Sequence, residues 1–514
     1  MRTGSDSSTA TDRPVIDRRT AVAGVVVGLL GCVLSATGSG RPSFWYDEAA
    51  TVSAVNRSYS QLFSLVSQTD GVHAAYYLVI KAWTSVFGLS EFAMRFPSAL
   101  AVGAAAATMV LLGDRLAGRG FGIVAGVALL TIPRTMWAGS EARSYAGTLF
   151  VAVLVTLLLL VALDRGRWWW VAYGVGVLVA VIWFFLAITL LAAHAAYVLL
   201  LRRSAFREFA VAGLAALVVL SPFAWWVSRQ RGQVSWIPQM SMQRAAVYLR
   251  FEFFDGTWVY PVVGAALVVL AASAAVVSSS AVVSARVVIL GVCWVAIPAL
   301  VVFAVSWWGA HLYAPRYLVF TVPGLALLLS WAVVTLSRQR RWATVILVAA
   351  LAAAAVPDYL AQRGPYGRTG GTDFSAVADY VGEHAAPGDC VAFDSAPSWS
   401  PISQRVVVQA APADFVGLRD VGAHSVAAQS GRLWDVEKPI SAYGPFAQGC
   451  QVMWVITDGE RDRRSTLFPG GQLTWYFTPF HFTDTELYRV LAATGLHITA
   501  RTEFNHSQVV RMQR

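Results

Sequence analysis

The sequence has 514 residues, of which 57% are apolar and only 13% are charged. A soluble domain cannot bury that much apolar surface in one core. The formal net charge of +10 would suit a nucleic-acid-binding protein, but the arginines lie in short clusters between apolar runs, which is the pattern of a topology signal. We therefore predict an α-helical polytopic membrane protein with no nucleic-acid partner.

The N-terminal residues 1–19 are predicted to form a disordered cytoplasmic tail, because most of them are polar. An apolar run at 20–37 follows Arg18 and Arg19. It is long enough to cross a bilayer, and no small-residue cleavage site of a signal peptide comes after it. We therefore expect an uncleaved first membrane helix.

Apolar runs of about 20 residues predict about eleven membrane helices. They lie at 20–37, 95–113, 119–134, 145–163, 167–184, 186–201, 207–228, 259–278, 284–305, 316–335 and 341–357. Short arginine-containing connections on one side of this arrangement place that side and the N-terminus in the cytoplasm. Because the number of helices is odd, the C-terminus is predicted to lie outside the cytoplasm. The protein is thus expected to be a multi-pass protein of the cell membrane.

The tail of the chain differs in composition from the membrane part, with more Gly, Asp and Pro and no long apolar run. Residues 20–357 are predicted to form the membrane domain, with a first outer loop at 38–94. Residues 358–514 are predicted to form a small extracytoplasmic α/β domain, because an amphipathic helix near 373–381 precedes strand-like segments, the first at 389–394. A second such segment, Gln451–Ile456, completes the pattern.

The four cysteines are unevenly placed. Cys32 and Cys293 lie in apolar runs, where a small buried thiol is the ordinary interpretation. Cys390 and Cys450 lie in the polar tail, where a disulfide is permitted if the tail is outside the cytoplasm. The sequence leaves their pairing open, because it does not fix the distance between them.

An acidic pair, Asp47 and Glu48, lies near the start of the first predicted outer loop and comes after Phe44, Trp45 and Tyr46. One interpretation is an interfacial belt of aromatic residues with two solvated acids beside it. The other is a functional site at the outer surface of the membrane. The side chains in the other outer connections distinguish these two interpretations.

Six further side chains that can carry chemistry fall in predicted outer connections or in the first two residues of the spans that follow them: His73, Glu141, Arg143, Tyr145, Arg316 and Tyr317. Polar side chains at the membrane surface are costly to bury without hydrogen-bond or charge partners, which favours a site on one face of the bilayer. Two structural alternatives stay open. Arg143 could form a salt bridge with Glu141, and Arg316 could be an interfacial anchor at the start of a span.

Several short motifs in these connections resemble one family. They are the acidic pair, Tyr76-Tyr77-Leu78, the Phe-Gly-Leu-Ser-Glu-Phe-Ala-Met-Arg-Phe-Pro-Ser segment at 87–98, Glu141-Ala-Arg-Ser-Tyr-Ala146 and Pro315-Arg-Tyr-Leu318. Together they resemble the membrane glycosyltransferases of the GT-C fold, in particular the protein O-mannosyltransferase and aminoarabinose transferase superfamily (family 39 and its neighbours). The resemblance covers residues 40–150 and 310–330. Family members usually carry two prolines where this chain has Ala74 and Ala75.

The resemblance implies a GT-C-like membrane domain that transfers a sugar, mannose or a pentose, from a polyprenyl-phosphate donor. It also implies that the acceptor is an extracytoplasmic hydroxyl of a glycan, glycolipid or protein and that the configuration at the anomeric carbon inverts. Asp47 is expected to be the base, with Glu48 beside it as a second catalytic residue. Three cationic or polar side chains are expected to bind the donor phosphate: Arg143, Arg316 and His73. Three more are expected to support the site: Glu141, Tyr145 and Tyr317.

Cofactor use stays undecided, since a divalent cation at Asp47, Glu48 and His73 is conceivable but is not required by the sequence. Two other functions also stay open. One is a polytopic transporter, although the polar residues gather at one surface and not at the midplane, where transporters bind substrate. The other is a non-enzymatic membrane scaffold whose external domain binds cell-wall glycan.

Overall fold

The computed structural model describes most of the chain, in five stretches: residues 17–254, 256–278, 285–394, 403–467 and 475–514. Residues 1–16, which make up most of the predicted cytoplasmic tail, lie outside the described residues.

Helices dominate the first three quarters of the chain and are interrupted by short connections. In chain order they are α1 (Arg18–Ala36), α2 (Tyr46–Val55), α3 (Tyr59–Gln68), α4 (Ala74–Phe87), α5 (Glu91–Ala117), α6 (Arg119–Thr131), α7 (Pro133–Gly139), α8 (Tyr145–Arg165), α9 (Trp168–Trp183), α10 (Leu190–Leu201), α11 (Phe206–Ser228), α12 (Met242–Phe253), α13 (Val259–Ser278), α14 (Ala285–Trp307), α15 (Val322–Ser337) and α16 (Arg341–Ala361).

Eight helical segments of the described residues are long and apolar enough to cross a membrane. They are Arg18–Ala36, Glu91–Ala117, Tyr145–Arg165, Arg203–Ser228, Val259–Val276, Ala285–Trp307, Pro315–Ser337 and Arg341–Ala361. A ninth is obtained if α6 and α7, which meet at 71°, form one broken span. Two shorter apolar helices, Trp168–Trp183 and Phe185–Leu201, match the remaining two predicted spans. The prediction of a polytopic helical membrane protein is confirmed.

The chain divides into two compact units. The first consists of Met1–Thr37 and Phe96–Tyr359 and contains the membrane helices. The second consists of Gly38–Arg95 and Leu360–Arg514. The predicted first outer loop therefore belongs to the same unit as the C-terminal region.

Close contact between α1 and α5 in the first unit depends on glycine. A Cβ on Gly28 would lie 2.8 Å from the Gly103 carbonyl oxygen, and a Cβ on Gly103 would lie 2.7 Å from that of Gly28. Small residues at such crossings let two membrane helices approach to backbone contact. This packing holds the helix that leads into the first outer loop.

The C-terminal part of the second unit contains short helices and strands. The helices are α17 (Phe374–His384), α18 (Val406–Ala410), α19 (Ala427–Ser430), α20 (Gly444–Ala447) and α21 (Glu486–Ala492). The strands are β1 (Cys390–Phe393), β2 (Arg419–Asp420), β3 (Ala423–Ser425), β4 (Val436–Glu437), β5 (Val452–Asp458), β6 (Ser465–Leu467), β7 (Trp475–Phe477), β8 (His497–Glu503) and β9 (Ser507–Gln513).

The main sheet has the strand order β2-β1-β5-β9-β8. Strands β2, β1 and β5 are parallel, whereas β9 and β8 are antiparallel to their neighbours. The predicted helix and the two predicted strands correspond to α17, β1 and β5. The expected small α/β region after the membrane helices is thus confirmed as a fold.

A disulfide joins Cys390 in β1 to Cys450 just before β5, with the two Cα atoms 5.8 Å apart. Both residues are almost fully buried beside aliphatic and aromatic core residues. The pairing that the sequence left open is therefore present, whereas Cys32 and Cys293 are free thiols.

Candidate active site

Asp47 and Glu48 lie in the first turn of α2, with Trp45 at the N-cap. Carboxylates are favoured there because the N-terminal end of a helix carries partial positive charge. The side chain of Asp47 is half-buried, whereas that of Glu48 is fully buried. Phe44 and Trp45 are buried too, so these two rings do not form an exposed aromatic belt.

Glu48 forms an ion pair with Arg95, and both side chains are inaccessible to solvent. Arg95 Nε donates to Glu48 Oε1 at 2.7 Å and Nη2 donates to Oε2 at 2.6 Å. Such a two-point contact fixes orientation as well as neutralising both charges. The second acid of the predicted catalytic pair is therefore engaged in a buried structural contact.

The same guanidinium also holds the chain that leads into α2. Arg95 Nη1 donates to the carbonyl oxygens of Ser39 and Pro42, both at 2.7 Å, and Nη2 donates to that of Ser43 at 3.2 Å. Arg95 belongs to the motif at 87–98, yet no local pattern in the sequence indicates its partner. Its five hydrogen bonds fix the start of the helix that presents Asp47.

His73 ends a short 3₁₀ turn, Gly71–His73, and α4 begins directly after it at Ala74. Its side chain is 7% exposed, and its ring centroid lies 5.9 Å from that of Tyr77. The turn begins at Asp70, whose φ is +60° and whose carboxylate accepts a hydrogen bond from the Tyr77 hydroxyl at 2.8 Å. Ala74 and Ala75 begin α4, and the turn before them is closed by this bond and by the backbone bond from His73 N to the Asp70 carbonyl oxygen at 2.8 Å.

Glu141, Arg143 and Tyr145 belong to the first unit, where the chain passes from α7 to α8. Glu141 and Tyr145 are fully buried and Arg143 is 7% exposed. The backbone oxygen of Glu141 accepts a hydrogen bond from the Ser98 hydroxyl at 2.6 Å. Because the three side chains lie within five residues of one tight connection, their relative placement is locally determined.

Arg316 and Tyr317 lie in a 3₁₀ helix, Pro315–Thr321, at the start of another span. The guanidinium carbon of Arg316 lies 4.9 Å from the ring centroid of Trp236, within cation–π range. The Tyr317 ring contacts Phe184 at 5.9 Å, and Phe184 contacts Tyr145 at 6.4 Å. Within this unit, Phe184 thus bridges two of the predicted supporting residues.

Sequence reasoning missed Glu252, which lies near the end of α12 and is fully buried. The Tyr313 hydroxyl donates to its Oε2 at 3.0 Å, and the Thr321 hydroxyl donates to its Oε1 at 2.5 Å. Burial raises the pKa of Glu252 to about 8, although the two hydrogen bonds and the charge of Arg134 act in the opposite direction. In the sequence, Glu252 is a single acid two residues after Arg250 in an aromatic segment, and this pattern does not indicate that it is buried.

A second missed contact joins α2 to the C-terminal region within the second unit. Arg57, which is 3% exposed, donates to the carbonyl oxygens of Ala427 at 3.3 Å and Arg432 at 2.5 Å. The Ser53 hydroxyl donates to the Leu433 carbonyl oxygen at 2.7 Å. These bonds pin residues 427–433 onto the helix that carries Asp47.

Trp434 directly follows this segment, and its ring centroid lies 5.0 Å from that of Tyr46. Both rings are half-buried. Tyr46 precedes Asp47 directly, so a residue of the C-terminal region lies against the first turn of α2. The sequence could not reveal this contact, because the two residues are far apart along the chain.

The expected site residues are thus divided between the units. Asp47, Glu48 and His73 lie in the second unit, whereas the first unit holds Glu141, Arg143, Tyr145, Arg316 and Tyr317. In the part of the chain that the structure describes, no three His, Cys, Asp or Glu side chains form a group that could hold a metal ion. Both carboxylate oxygens of Glu48 moreover accept hydrogen bonds from Arg95.

Part of the chain matches a known protein family. Residues 74–226 match the model of the dolichyl-phosphate-mannose-protein mannosyltransferase family. This segment begins directly after His73, at the start of α4. It includes the motif around Arg95 and the connection that holds Arg143. None of the curated protein sequences is detectably similar to the chain.

Solved structures that share the fold over nearly the full length include two of ArnT. ArnT from Cupriavidus metallidurans bound to undecaprenyl phosphate has a TM-score of 0.55 at 14% sequence identity, covering 96% of this chain and 98% of that one. ArnT from the same organism in the apo state has a TM-score of 0.52 at 15% identity, covering 95% and 97%. The chain therefore has the GT-C fold of membrane glycosyltransferases, as its sequence motifs predicted.

Proposed function

We propose that this protein is an integral membrane glycosyltransferase that uses a sugar linked to a polyprenyl phosphate. The observation that carries the proposal is the fold shared with ArnT bound to undecaprenyl phosphate, over nearly the whole of both chains. The match of residues 74–226 to a family named for a dolichyl-phosphate sugar donor supports the same donor class. Mannose or a pentose is the proposed sugar, on the basis of the motifs.

Asp47 is proposed as the general base. Its carboxylate takes the proton of the acceptor hydroxyl while the acceptor oxygen attacks the anomeric carbon from the face opposite the phosphate. The bond between the anomeric carbon and the phosphate oxygen breaks, the configuration inverts, and polyprenyl phosphate leaves with the bonding electrons. The half-buried position of Asp47 in a helix first turn supports this role, because the carboxylate is oriented yet still reachable.

Glu48 is proposed as a positioning residue. Its buried ion pair with Arg95 supports this role, since a carboxylate held at both oxygens by one guanidinium is poorly available to a substrate. Arg95 in turn fixes residues 39–43 ahead of α2. Glu48 therefore acts through the orientation of the helix that carries Asp47.

Arg143, Arg316 and His73 are proposed to bind the donor phosphate. A guanidinium suits this task because it stays charged and can donate two parallel hydrogen bonds to phosphate oxygens. The same groups would stabilise the charge that develops on the leaving phosphate. Glu141, Tyr145 and Tyr317 are proposed to support them, and the ring contacts of both tyrosines with the buried Phe184 agree with that role.

The proposed topology places the N-terminus in the cytoplasm and residues 358–514 outside it, beyond a membrane domain at 20–357. The Cys390–Cys450 disulfide supports the external position, because disulfides persist in oxidising compartments and are rare in the cytosol. The acceptor is accordingly an extracytoplasmic hydroxyl of a glycan, glycolipid or protein. The contact of Trp434 with Tyr46 supports a role for the C-terminal region in binding it.

The proposal is tested by incubating membranes that contain the full-length protein with radiolabelled polyprenyl-phosphate mannose or pentose and an envelope extract as acceptor. Transfer of label to the extract is expected for the wild type and not for Asp47→Asn, which should insert into the membrane at the same level. An exposed acid replaced in the same way, Asp484→Asn, serves as the control. Absence of transfer with every donor, together with uptake of a solute or binding of glycan alone, would favour a transporter or a scaffold instead.

A further inference from the structure

A cavity of about 840 Å³ lies between α9 and α11 in the first unit. Most of its lining is aliphatic, and four valines of that lining are more than half exposed: Val171, Val175, Val211 and Val219. In a membrane domain, exposed aliphatic side chains face hydrocarbon. The cavity is therefore a groove that opens to the lipid and not to water.

The length of the groove matches one leaflet. Its lining extends from Arg167 to Leu178 along α9 and from Arg207 to Val219 along α11. At a rise of about 1.5 Å per residue, these stretches are about 17 Å long. Half of the roughly 30 Å hydrocarbon core is about 15 Å. An acyl chain of a single leaflet can therefore lie along the whole groove.

A missing side chain keeps the groove open at mid-depth. A Cβ on Gly174 would have as its nearest neighbour the backbone oxygen of Ala212, at 3.4 Å. Ala212, Ala215 and Ala216 form the facing wall on α11. Short side chains on both helices therefore leave the volume above Gly174 empty of protein atoms. Hydrocarbon in that volume would restore the dispersion contacts that an empty gap loses.

One end of the groove is basic. Arg167 and Arg207 line it there, and both side chains are exposed. Glu208 is the carboxylate among the described lining residues, so two guanidinium groups and one carboxylate leave a net positive charge. Basic pockets between membrane helices at the level of the headgroups are the kind of site that binds anionic lipids.

We propose that this groove is a binding site for one anionic glycerophospholipid, with its headgroup phosphate at Arg167 and Arg207 and an acyl chain along Gly174. Under the proposed topology the basic end lies in the cytoplasmic leaflet, on the side of the membrane opposite to sugar transfer. The site is therefore separate from donor binding, and it stabilises the α9–α11 pair whatever sugar the protein transfers.

The test uses the full-length protein, purified in mild detergent, stripped of lipid and titrated with phosphatidylglycerol. Native mass spectrometry should detect one retained lipid per chain, and the melting temperature should rise with lipid concentration. In Arg167→Ala/Arg207→Ala the retained fraction is expected to fall at least fivefold. The matched control Arg340→Ala/Arg341→Ala removes two exposed arginines of another short connection and should retain lipid like the wild type.

A second variant blocks the groove without changing its charge. Ala215→Trp places a large side chain on the exposed wall of α11, and it should lower lipid retention while leaving the protein folded. Equal retention in the wild type and both groove variants would overturn the proposal. Equal retention of phosphatidylethanolamine and phosphatidylglycerol would also overturn it. The same holds if polyprenyl phosphate copurifies with the wild type and is lost in Arg167→Ala/Arg207→Ala.

Discussion

Arg95 and Glu48, which are 47 residues apart in the chain, form a two-point ion pair that is fully shielded from solvent. The pair fixes the first turn of the helix that carries Asp47. If Asp47 is the base, as we propose, its direction matters, because a misplaced reacting group slows the reaction. The buried pair would then position the half-buried acid beside it.

Arg95→Met is expected to lower the free energy of unfolding by about 3–5 kcal/mol, because the buried carboxylate of Glu48 loses its ion pair with Arg95. The measurement is thermal or denaturant unfolding of the purified protein in detergent. Arg41→Met, at an exposed arginine of the same segment, is the control. Equal stability of the two variants would contradict the structural role of the pair.

The variant Glu48→Gln tests whether Glu48 orients Asp47 in addition to stabilising the fold. Well below the melting temperature of the variant, kcat for sugar transfer is expected to fall at least tenfold with an unchanged KM for the donor, because the helix that orients Asp47 loses one anchor. A purely structural role of Glu48 would leave kcat of the folded fraction at the wild-type value.

Arg143→Ala is expected to raise the KM for the polyprenyl-phosphate donor by about 10- to 100-fold, since a hydrogen bond to a charged group contributes about 1.5–3 kcal/mol. The KM for the acceptor should change little. Both constants are measured by initial rates in detergent, with Arg340→Ala as the control. Equal effects on donor and acceptor would indicate that Arg143 acts only through the local structure.

Trp434→Ala is expected to raise the KM for the acceptor by about 2- to 10-fold, the size expected for loss of an aromatic contact of about 0.5–1.5 kcal/mol. The reason is its contact with Tyr46, directly before Asp47. Tyr476→Ala, at an exposed aromatic residue of the same unit, is the control. If Trp434→Ala changed the donor KM instead, the C-terminal region would not contribute to acceptor binding.

Stability is expected to depend on pH through Glu252. Burial raises the pKa of this carboxyl in the folded protein from its ordinary 4.5 to about 8. Between these values the folded protein holds a proton that the unfolded chain has lost, so the free energy of unfolding falls as the pH rises from about 4.5 to about 8, and then levels off. Glu252→Gln, which mimics the protonated acid, should remove this part of the slope.

Melting temperatures measured in detergent from pH 5 to 9 test the Glu252 prediction. Glu486→Gln, at an exposed acid of α21, should keep the wild-type slope. A Glu252→Gln protein whose melting temperature follows the same pH dependence as the wild type would show that the carboxyl is ionised throughout this range.

The disulfide predicts a simple labelling pattern. Under denaturing conditions without reductant, a thiol reagent should modify two cysteines, Cys32 and Cys293. After reduction it should modify all four cysteines of the chain. Intact mass spectrometry measures both states, and modification of four cysteines before reduction would contradict the Cys390–Cys450 bridge.

The sequence by itself determined the membrane helices and their approximate positions, because hydropathy over about 20 residues is a local property. It also located α17, β1 and β5 in the tail, since their patterns of apolar residues need no distant partner. The short motifs that resemble GT-C glycosyltransferases predicted the fold, although the orientation of the termini stays a prediction.

Only the tertiary structure decided which side chains meet. Glu48 could have paired with any of many arginines, and its partner is Arg95 because packing brings the start of α5 against the start of α2. Cys390 and Cys450 pair because β1 and β5 are adjacent in the sheet. The burial of Glu252 and the contact of Trp434 with Tyr46 have the same origin, because each joins chain segments that no local pattern connects.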